Sequence, residues 1–396
     1  MNYILLDSSN RSNLLPLVFT RPVADLRFGI LTIREKWEKY LGSKTSSLTE
    51  GYLQAKFPLI ESVENILING SICPNPELLS EILKLKSGYS LIKDETVIAM
   101  CLSADALKLL GDPDSNFECE TIETKVGYVK IENVWDLFNY NEKAINDDFV
   151  LLTSGRKSQK LSPTNRAINP ENIFIEEGAV VEYAILNASK GPIYIGKEAE
   201  VMEGAKVRGP FAMCEHAVLK MDAKIYGPTT VGPYSKIGGE VTSSVIFGYS
   251  NKVHDGFLGH SVIGEWCNIG ADTNTSNLKN TYEEVKLWSY PDESFVSTGL
   301  QFCGTIMGDH SKCGINTMFN TGTVVGVNVN VYGSGFQRNF IPSFTWGGTQ
   351  GFADFELKKA FRIAEAVFAR RSKVFDKTEK AILVEIYGLT HNNRRA

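Results

Sequence analysis

His254 is one of five histidines in a chain of 396 residues, and it heads a stretch rich in glycine and asparagine, NKVHDGFLGHSVIGEWCNIGADTNTSN. An imidazole near its ordinary pKa takes up a proton at neutral pH, so a histidine here has the chemistry of a general base. The bland reading of the same residue is a surface histidine in a corner loop. A second set of groups is cationic. Arg11, Arg21, Arg27 and Lys36 all lie in the amino-terminal segment and carry enough charge to hold phosphates. They read equally well as a charged surface with helix pairs such as Arg34, Glu35 and Lys36. The seven cysteines (73, 101, 119, 214, 267, 303 and 313) form no CxxC pair. That pattern argues against a zinc site or a disulfide framework, and for reduced thiols in the cytoplasm.

The elements that must position these groups have an unusual period. Aliphatic residues recur every six positions through Ile195, Val201, Val207, Met213, Leu219, Ile225, Val231 and Ile237. A small or neutral residue follows most of them four places on, as at Ala199, Ala205, Ala217, Ala223, Thr229 and Ser235. The same step returns at Met307, Cys313, Phe319, Val325 and Val331, and Phe257, Ile263, Ile269 and Thr275 keep it between. A period of six fits neither an α-helix nor an alternating strand. It is the mark of a parallel β-helix of hexapeptides, in which each rung is a short strand and a turn that buries its apolar face only by stacking. The step is broken near 239–256 and again at 279–304, where a polar, aromatic loop is expected to leave the prism.

Ahead of this region strands and helices alternate. Residues 3–6, 65–69 and 96–101 read as strands. Residues 30–41, 76–86 and 134–147 read as helices, which together suggest an α/β domain. A polar junction spans 152–172. After the coils, 353–375 has helical spacing, and Asp376 with Glu379 looks like the cap of a second helix that ends near Gly388. The domains expected are thus 1–165, 166–350 and 351–396. A net charge of −5 argues against nucleic-acid binding by bulk electrostatics. The start, MNYILLDSSNRSN, has no signal-like apolar run, and no segment approaches a membrane span.

The six-residue pattern resembles the left-handed β-helix of the hexapeptide-repeat acyltransferase superfamily. Within it, residues 251–277 resemble the acetyltransferase half of the bifunctional enzyme that makes UDP-N-acetylglucosamine. The order His254, Leu258-Gly259, Ile263-Gly264, Asn268-Ile269-Gly270-Ala271, Thr275 and Asn277 carries this resemblance. It implies His254 as general base for acyl transfer to an amine, and Asn268 and Asn277 as ligands of sugar hydroxyls or phosphate. Lys279 and Lys286 are candidates for the phosphate contact. Phe257 stands where the family has a tyrosine, and His260 where it has an aspartate. The superfamily's coenzyme A site implies roles for Gly314, Gly333, Gly335 and Arg338, with acetyl-CoA as acyl donor.

Residues 14–38, with Pro16-Leu17 and Thr20-Arg21-Pro22, resemble sugar nucleotidyltransferases. The resemblance implies a nucleoside triphosphate held by Arg11, Arg21, Arg27 and Lys36, with Mg²⁺ assisting if this half is active. The loop at 7–13, DSSNRSN, has no glycine, and Asn69-Gly70 stands where the family has a Gly-Asp metal site. Asp136 is an alternative carboxylate. The whole resembles an α/β nucleotidyltransferase-like domain followed by a left-handed β-helix and C-terminal helices. The activity implied is that of a homotrimeric transferase acting on an amino-sugar phosphate and a sugar 1-phosphate. The alternatives are a nucleotide-sugar-binding regulatory protein, or a pyrophosphorylase whose β-helix serves only assembly.

Overall fold

The structure is a computed structural model that describes residues 2–110 and 119–394. Tertiary contacts divide the chain into two units. One holds Met1–Leu14, Thr20–Leu26 and Leu31–Glu132; the other holds Leu15–Phe19, Arg27–Ile30 and Asn133–Ala396.

The first unit is built on a six-stranded sheet. Its strands are β1 (Asn2–Leu6), β2 (Ser46–Leu48), β3 (Glu64–Asn69), β4 (Tyr89–Lys93), β5 (Thr96–Ser103) and β6 (Glu120–Glu123), in the order β2-β1-β3-β5-β4-β6. β1 runs parallel to β2 and β3, whereas β5 is antiparallel to β3 and β4. Cap chemistry sets the helix starts. Thr32 and Glu35 form a reciprocal capping box at α1 (Ile33–Leu41). Asn75 accepts the Leu78 N–H ahead of α2 (Pro76–Ile82), and Ser103 accepts the Ala106 N–H ahead of α3 (Ala104–Leu109). Trp37 of α1 is fully buried and donates its indole N–H to the Ile72 carbonyl at 2.7 Å, tying the helix to the chain beyond β3. The sheet partners of β1 lie on both its sides, β2 first and β3 second in chain order. The carboxyl ends of β1 and β3 therefore flank a crevice where the winding reverses, the usual place for a ligand in an α/β sheet.

In the second unit the six-residue step becomes a three-sided coil. Ile193 pairs with Phe211, and Phe211 with Thr229, each 18 residues on, so three hexapeptides make one turn. Faces of six, nine and ten strands result, almost all parallel. The rung residues from Ile195 to Ile237 are at most 3% exposed. Ser235 and Ser311 also enter the prism, because their hydroxyls donate to the Phe247 and Gly326 carbonyls at 2.6 Å. A methyl on Gly196 or Gly270 would come within 2.6 or 2.3 Å of backbone in the next coil, which explains the glycine after the rung.

The two breaks in the step have different outcomes. Through 239–256 the chain stays in the prism. Thr230 pairs with Val245 and Ile237 with Lys252, 15 residues on, so this turn is shortened by three. The second break does leave the prism, as a hairpin of Lys286–Ser289 and Ser294–Ser297, while Ile263 continues directly to Met307 in the face.

One corner of the coils carries residues in the left-handed region that are not glycine, including His216, Tyr234, Tyr249, Trp266 and His310. This backbone is unfavourable for such side chains, and the rings offset the cost by stacking. Tyr234 meets Tyr249 at 5.0 Å, Tyr249 meets Trp266 at 4.2 Å, and Trp266 meets Phe368 at 4.0 Å. Before the coils lie two helices, α4 (Asp136–Asn139) and α5 (Asn141–Thr153). They group with the coils through Asn141, whose amide nitrogen donates to the Pro228 carbonyl at 3.3 Å. Beyond them lie α6 (Leu357–Ala369), which carries Phe368, and α7 (Lys377–Leu389). Asp376 caps α7 as expected, but Gly388 lies inside this helix and not at its end. Thr390 closes it, donating its hydroxyl to the Ile386 carbonyl at 2.8 Å, because buried Ile386 and the Tyr387 ring against Phe344 hold the last turn.

Candidate functional site

The crevice in the first unit holds a cavity of 340 Å³. Leu6 and the turn Ser8–Asn10 close one side; Leu67, Asn69 and the strand from Thr96 to Met100 close the other, with Glu95 and Lys130 at the wall. The glycine-free loop winds into a 3-10 helix, Ser9–Leu14. Side chains hold its entry: Ser8 donates to Asn10 Oδ1, and the Asn10 amide donates to the Ile131 carbonyl at 2.8 Å. Asn69 is committed as well. Its Oδ1 accepts from the Ser71 N–H at 3.0 Å and the Ser71 hydroxyl at 2.7 Å, and its Nδ2 donates to the Val97 carbonyl at 3.2 Å. Among the described residues no group of three or more His, Cys, Asp or Glu is placed to hold a metal ion. Mg²⁺ in phosphoryl-transfer sites needs only one or two carboxylates beside the substrate phosphates, and Glu95 supplies one on this wall. The Lys130 ammonium rests 2.7 Å from Glu132.

None of the four cations read from the sequence lines this cavity. Arg11 is 8% exposed, and its Nη1 donates to Asp7 Oδ2 at 2.7 Å and to the Arg21 carbonyl at 3.1 Å. Asp7 also accepts the Val23 N–H at 2.8 Å. Burial raises the Asp7 pKa above its ordinary value, with the Arg11 guanidinium opposing. Arg21 is buried with Nη2 3.4 Å from Thr20 Oγ1, and Lys36 is buried on α1. Arg27 lies in the second unit, where it donates to the Ile30 carbonyl and approaches Cys214 Sγ at 3.7 Å. Asp136 accepts the Asn133 N–H at 2.8 Å and so closes the turn that leads into α4.

On the coils, His254 is exposed in the turn 253–256 that joins two faces. Gly238 and Gly239 make room beneath it: a methyl there would sit 2.1 Å from the Val253 carbonyl oxygen or 2.8 Å from that of His254. Above, the Asp272 N–H donates to the Asp255 carbonyl at 3.0 Å, and the Phe257 N–H to Asn274 Oδ1 at 2.9 Å. The next strand, Phe257–Gly259, brings in Asn277, whose Nδ2 would lie 2.5 Å from a methyl on Gly259. That nitrogen meets His260 Nδ1 at 2.9 Å. An amide NH₂ only donates, so Nδ1 is the acceptor and the ring proton sits on Nε2. Asn268 is exposed on the adjoining face, in register with Asn251 and Lys312. Lys279 is turned into its own loop, donating to the Glu284 carbonyl at 2.7 Å, and Lys286 is exposed opposite Ser297 of the hairpin. His254 and Asn277 thus flank one strand, with Asn268 a corner away.

The His260 ring is partner and packing at once. Phe302 stacks on it at 5.1 Å and Phe138 meets it edge-on at 5.9 Å. Burial pushes its pKa down to about 4. The unfolded chain, titrating near 6.5, binds the proton first. Stability attached to His260 is therefore complete above pH 6.5 and is lost as pH falls towards 4. Urea unfolding at pH 7 and pH 5 is expected to show a loss on the order of 1–2 kcal/mol that a His260→Gln variant lacks. The sequence shows a histidine here, but not that its ring orients Asn277.

The residues that the sequence resemblance assigns to the acyl donor lie in the later coils. Gly314 follows the strand Lys312–Cys313, and a methyl on it would meet nothing closer than 3.7 Å. Gly333 and Gly335 have φ of 97° and 88° in an exposed loop, and the Arg338 guanidinium lies 5.5 Å from the centre of the Phe352 ring.

An α/β unit with a switch-point crevice, followed by a hexapeptide β-helix, defines the architectural class. Residues 3–157 match the family described as sugar nucleotidyl transferase. The chain is 29% identical over 145 residues to a bifunctional sugar-1-phosphate nucleotidylyltransferase/acetyltransferase of Sulfurisphaera tokodaii, covering 36% of each chain. It is 28% identical over 226 residues to the bifunctional protein GlmU of Methanococcus maripaludis, covering 57% of this chain and 47% of that one. The chain thus spans less than half the length of either relative. A solved structure of an Arabidopsis UDP-N-acetylglucosamine acyltransferase aligns with 59% of this chain and 94% of its own, at 14% identity and a TM-score of 0.25. No helix among the described residues is long and apolar enough to cross a membrane.

Proposed function

We propose that the chain is a two-headed transferase of nucleotide-sugar synthesis. The coils acetylate an amino-sugar phosphate from acetyl-CoA, and the first unit joins a nucleotide to a sugar 1-phosphate. The observation that carries the first half is the strand Phe257–Gly259, flanked by exposed His254 and by Asn277 with its amide oriented on His260. The amine lone pair attacks the thioester carbonyl, the C–N bond forms and the C–S bond breaks. The amine proton passes to the His254 imidazole, and the departing thiolate takes it from there. Asn277 and Asn268 orient the sugar, and Lys286 meets its phosphate. The loop of Gly333, Gly335 and Arg338 receives the acyl donor. The match of residues 3–157 and the parent names of the relatives support this reading.

In the first unit, the main-chain N–H groups at the start of the 3-10 helix Ser9–Leu14 offer donors to the triphosphate, and Lys130 exchanges Glu132 for a phosphate. A sugar 1-phosphate oxygen attacks the α-phosphorus in line, and pyrophosphate leaves. Mg²⁺, when bound, neutralises charge on the phosphates. Two assays on the intact chain test the two heads: thiol release from acetyl-CoA with glucosamine 1-phosphate, and pyrophosphate release from nucleoside triphosphate with a sugar 1-phosphate. Lys130→Ala is expected to raise KM for the triphosphate about tenfold, with kcat less affected. No thiol release with any amino-sugar phosphate would remove the acetyl half. Nucleotide-sugar binding by calorimetry without pyrophosphate release would favour the regulatory alternative, which the glycine-free turn at 7–13 supports. Catalysis at faces shared by neighbouring coils calls for a homotrimer, read by light scattering.

A further inference from the structure

Lys252 occupies a position that the repeat reserves for an aliphatic side chain. It pairs in register with Ile237 of the preceding coil, and Cys313 and Val331 hold the same inward line in later coils. The residue is 2% exposed. An ammonium inside an apolar prism is costly unless its donors are matched. Here it donates to the His254 carbonyl and, at 3.2 Å, to the Asp255 carbonyl. Asp255, Asp272 and Cys313 are the titratable groups that act on it, and burial draws its pKa down to about 8. A thioether would fill the same place at less cost, since Met213 and Met307 are fully buried rung residues. The lysine is thus poorly accounted for by stability and well accounted for by what it holds.

We propose that Lys252 is a positioning residue: from inside the prism its ammonium grips the two carbonyls of the turn that presents His254, and so fixes the imidazole on the outer wall. This rests on the reading of His254 as the base. The turn needs such a hold because Gly238 and Gly239 beneath it contribute space but no side chains.

The test compares Lys252→Met and Lys252→Gln, the second keeping one donor, in the full chain. For Lys252→Met the thermal midpoint should equal or exceed the parent's, and amide exchange across residues 254–257 should rise at least about tenfold with other coils unchanged. Acetyl-transfer kcat should fall by about tenfold or more with KM for acetyl-CoA unchanged, and pyrophosphate release should be untouched. Lys252→Gln should fall between. Unchanged exchange at 254–257 in both variants would overturn the proposal, as would faster exchange spread through all the coils with a lower midpoint, which marks a plain fold residue. Faster local exchange in a parent that transfers no acetyl group would keep the positioning role and remove the acetyltransferase reading.

Discussion

His254→Ala is expected to cut acetyl transfer by about 100- to 10,000-fold, the usual worth of a positioned general base. The fall should appear in kcat, because the amine must lose its proton as the C–N bond forms, whereas the loop proposed to receive acetyl-CoA lies elsewhere. Stability should stay within about 0.5 kcal/mol of the parent, since the ring is exposed and its turn is held by main-chain bonds and Lys252. Thiol release at saturating acetyl-CoA, followed beside thermal unfolding, reads both quantities. Activity within a few-fold of the parent would place the base elsewhere. His260 is a poor substitute, because a ring with a pKa of about 4 holds a proton weakly at neutral pH.

Arg11→Ala should act on stability and not on substrate binding. Its guanidinium lies 2.7 Å from Asp7, and both side chains are nearly enclosed, at 10% and 7% exposure. Removing one partner strands the other charge, a loss of about 3–5 kcal/mol in buried pairs. Urea unfolding of the first unit's transition would measure it. Asp7→Asn with Arg11→Met should recover most of the loss, because a matched apolar and amide pair leaves no buried charge. A stable Arg11→Ala protein that no longer binds triphosphate would instead make Arg11 a phosphate ligand, as the sequence resemblance implies.

The coils were legible because their burial is periodic. Each rung meets the same small set of neighbours one turn away, so residue type at every sixth position carries the geometry. The short turn at Lys252 was not legible, since three missing residues look the same as a broken repeat until the register is known. In the first unit, β1, β3 and β5 announced themselves by apolar runs. Ser46–Leu48 and Glu120–Glu123 carry no such run and become strands only because an edge of the sheet is there to pair with.

Charge alone was a weaker guide than apolar pattern. A basic residue in the sequence shows that a cation exists, not where its long side chain ends. Arg11 turns to Asp7 four residues before it, while Lys130, far along the chain, comes to the crevice. Residue order was sufficient for the three-sided prism and the α/β unit, because both follow from burial repeated at short range. The tertiary arrangement alone decided that Asn277 is oriented by His260 and that Lys252 grips the turn beneath His254. Those contacts depend on how coils of unequal length bring side chains and carbonyls into register, and no local pattern encodes that.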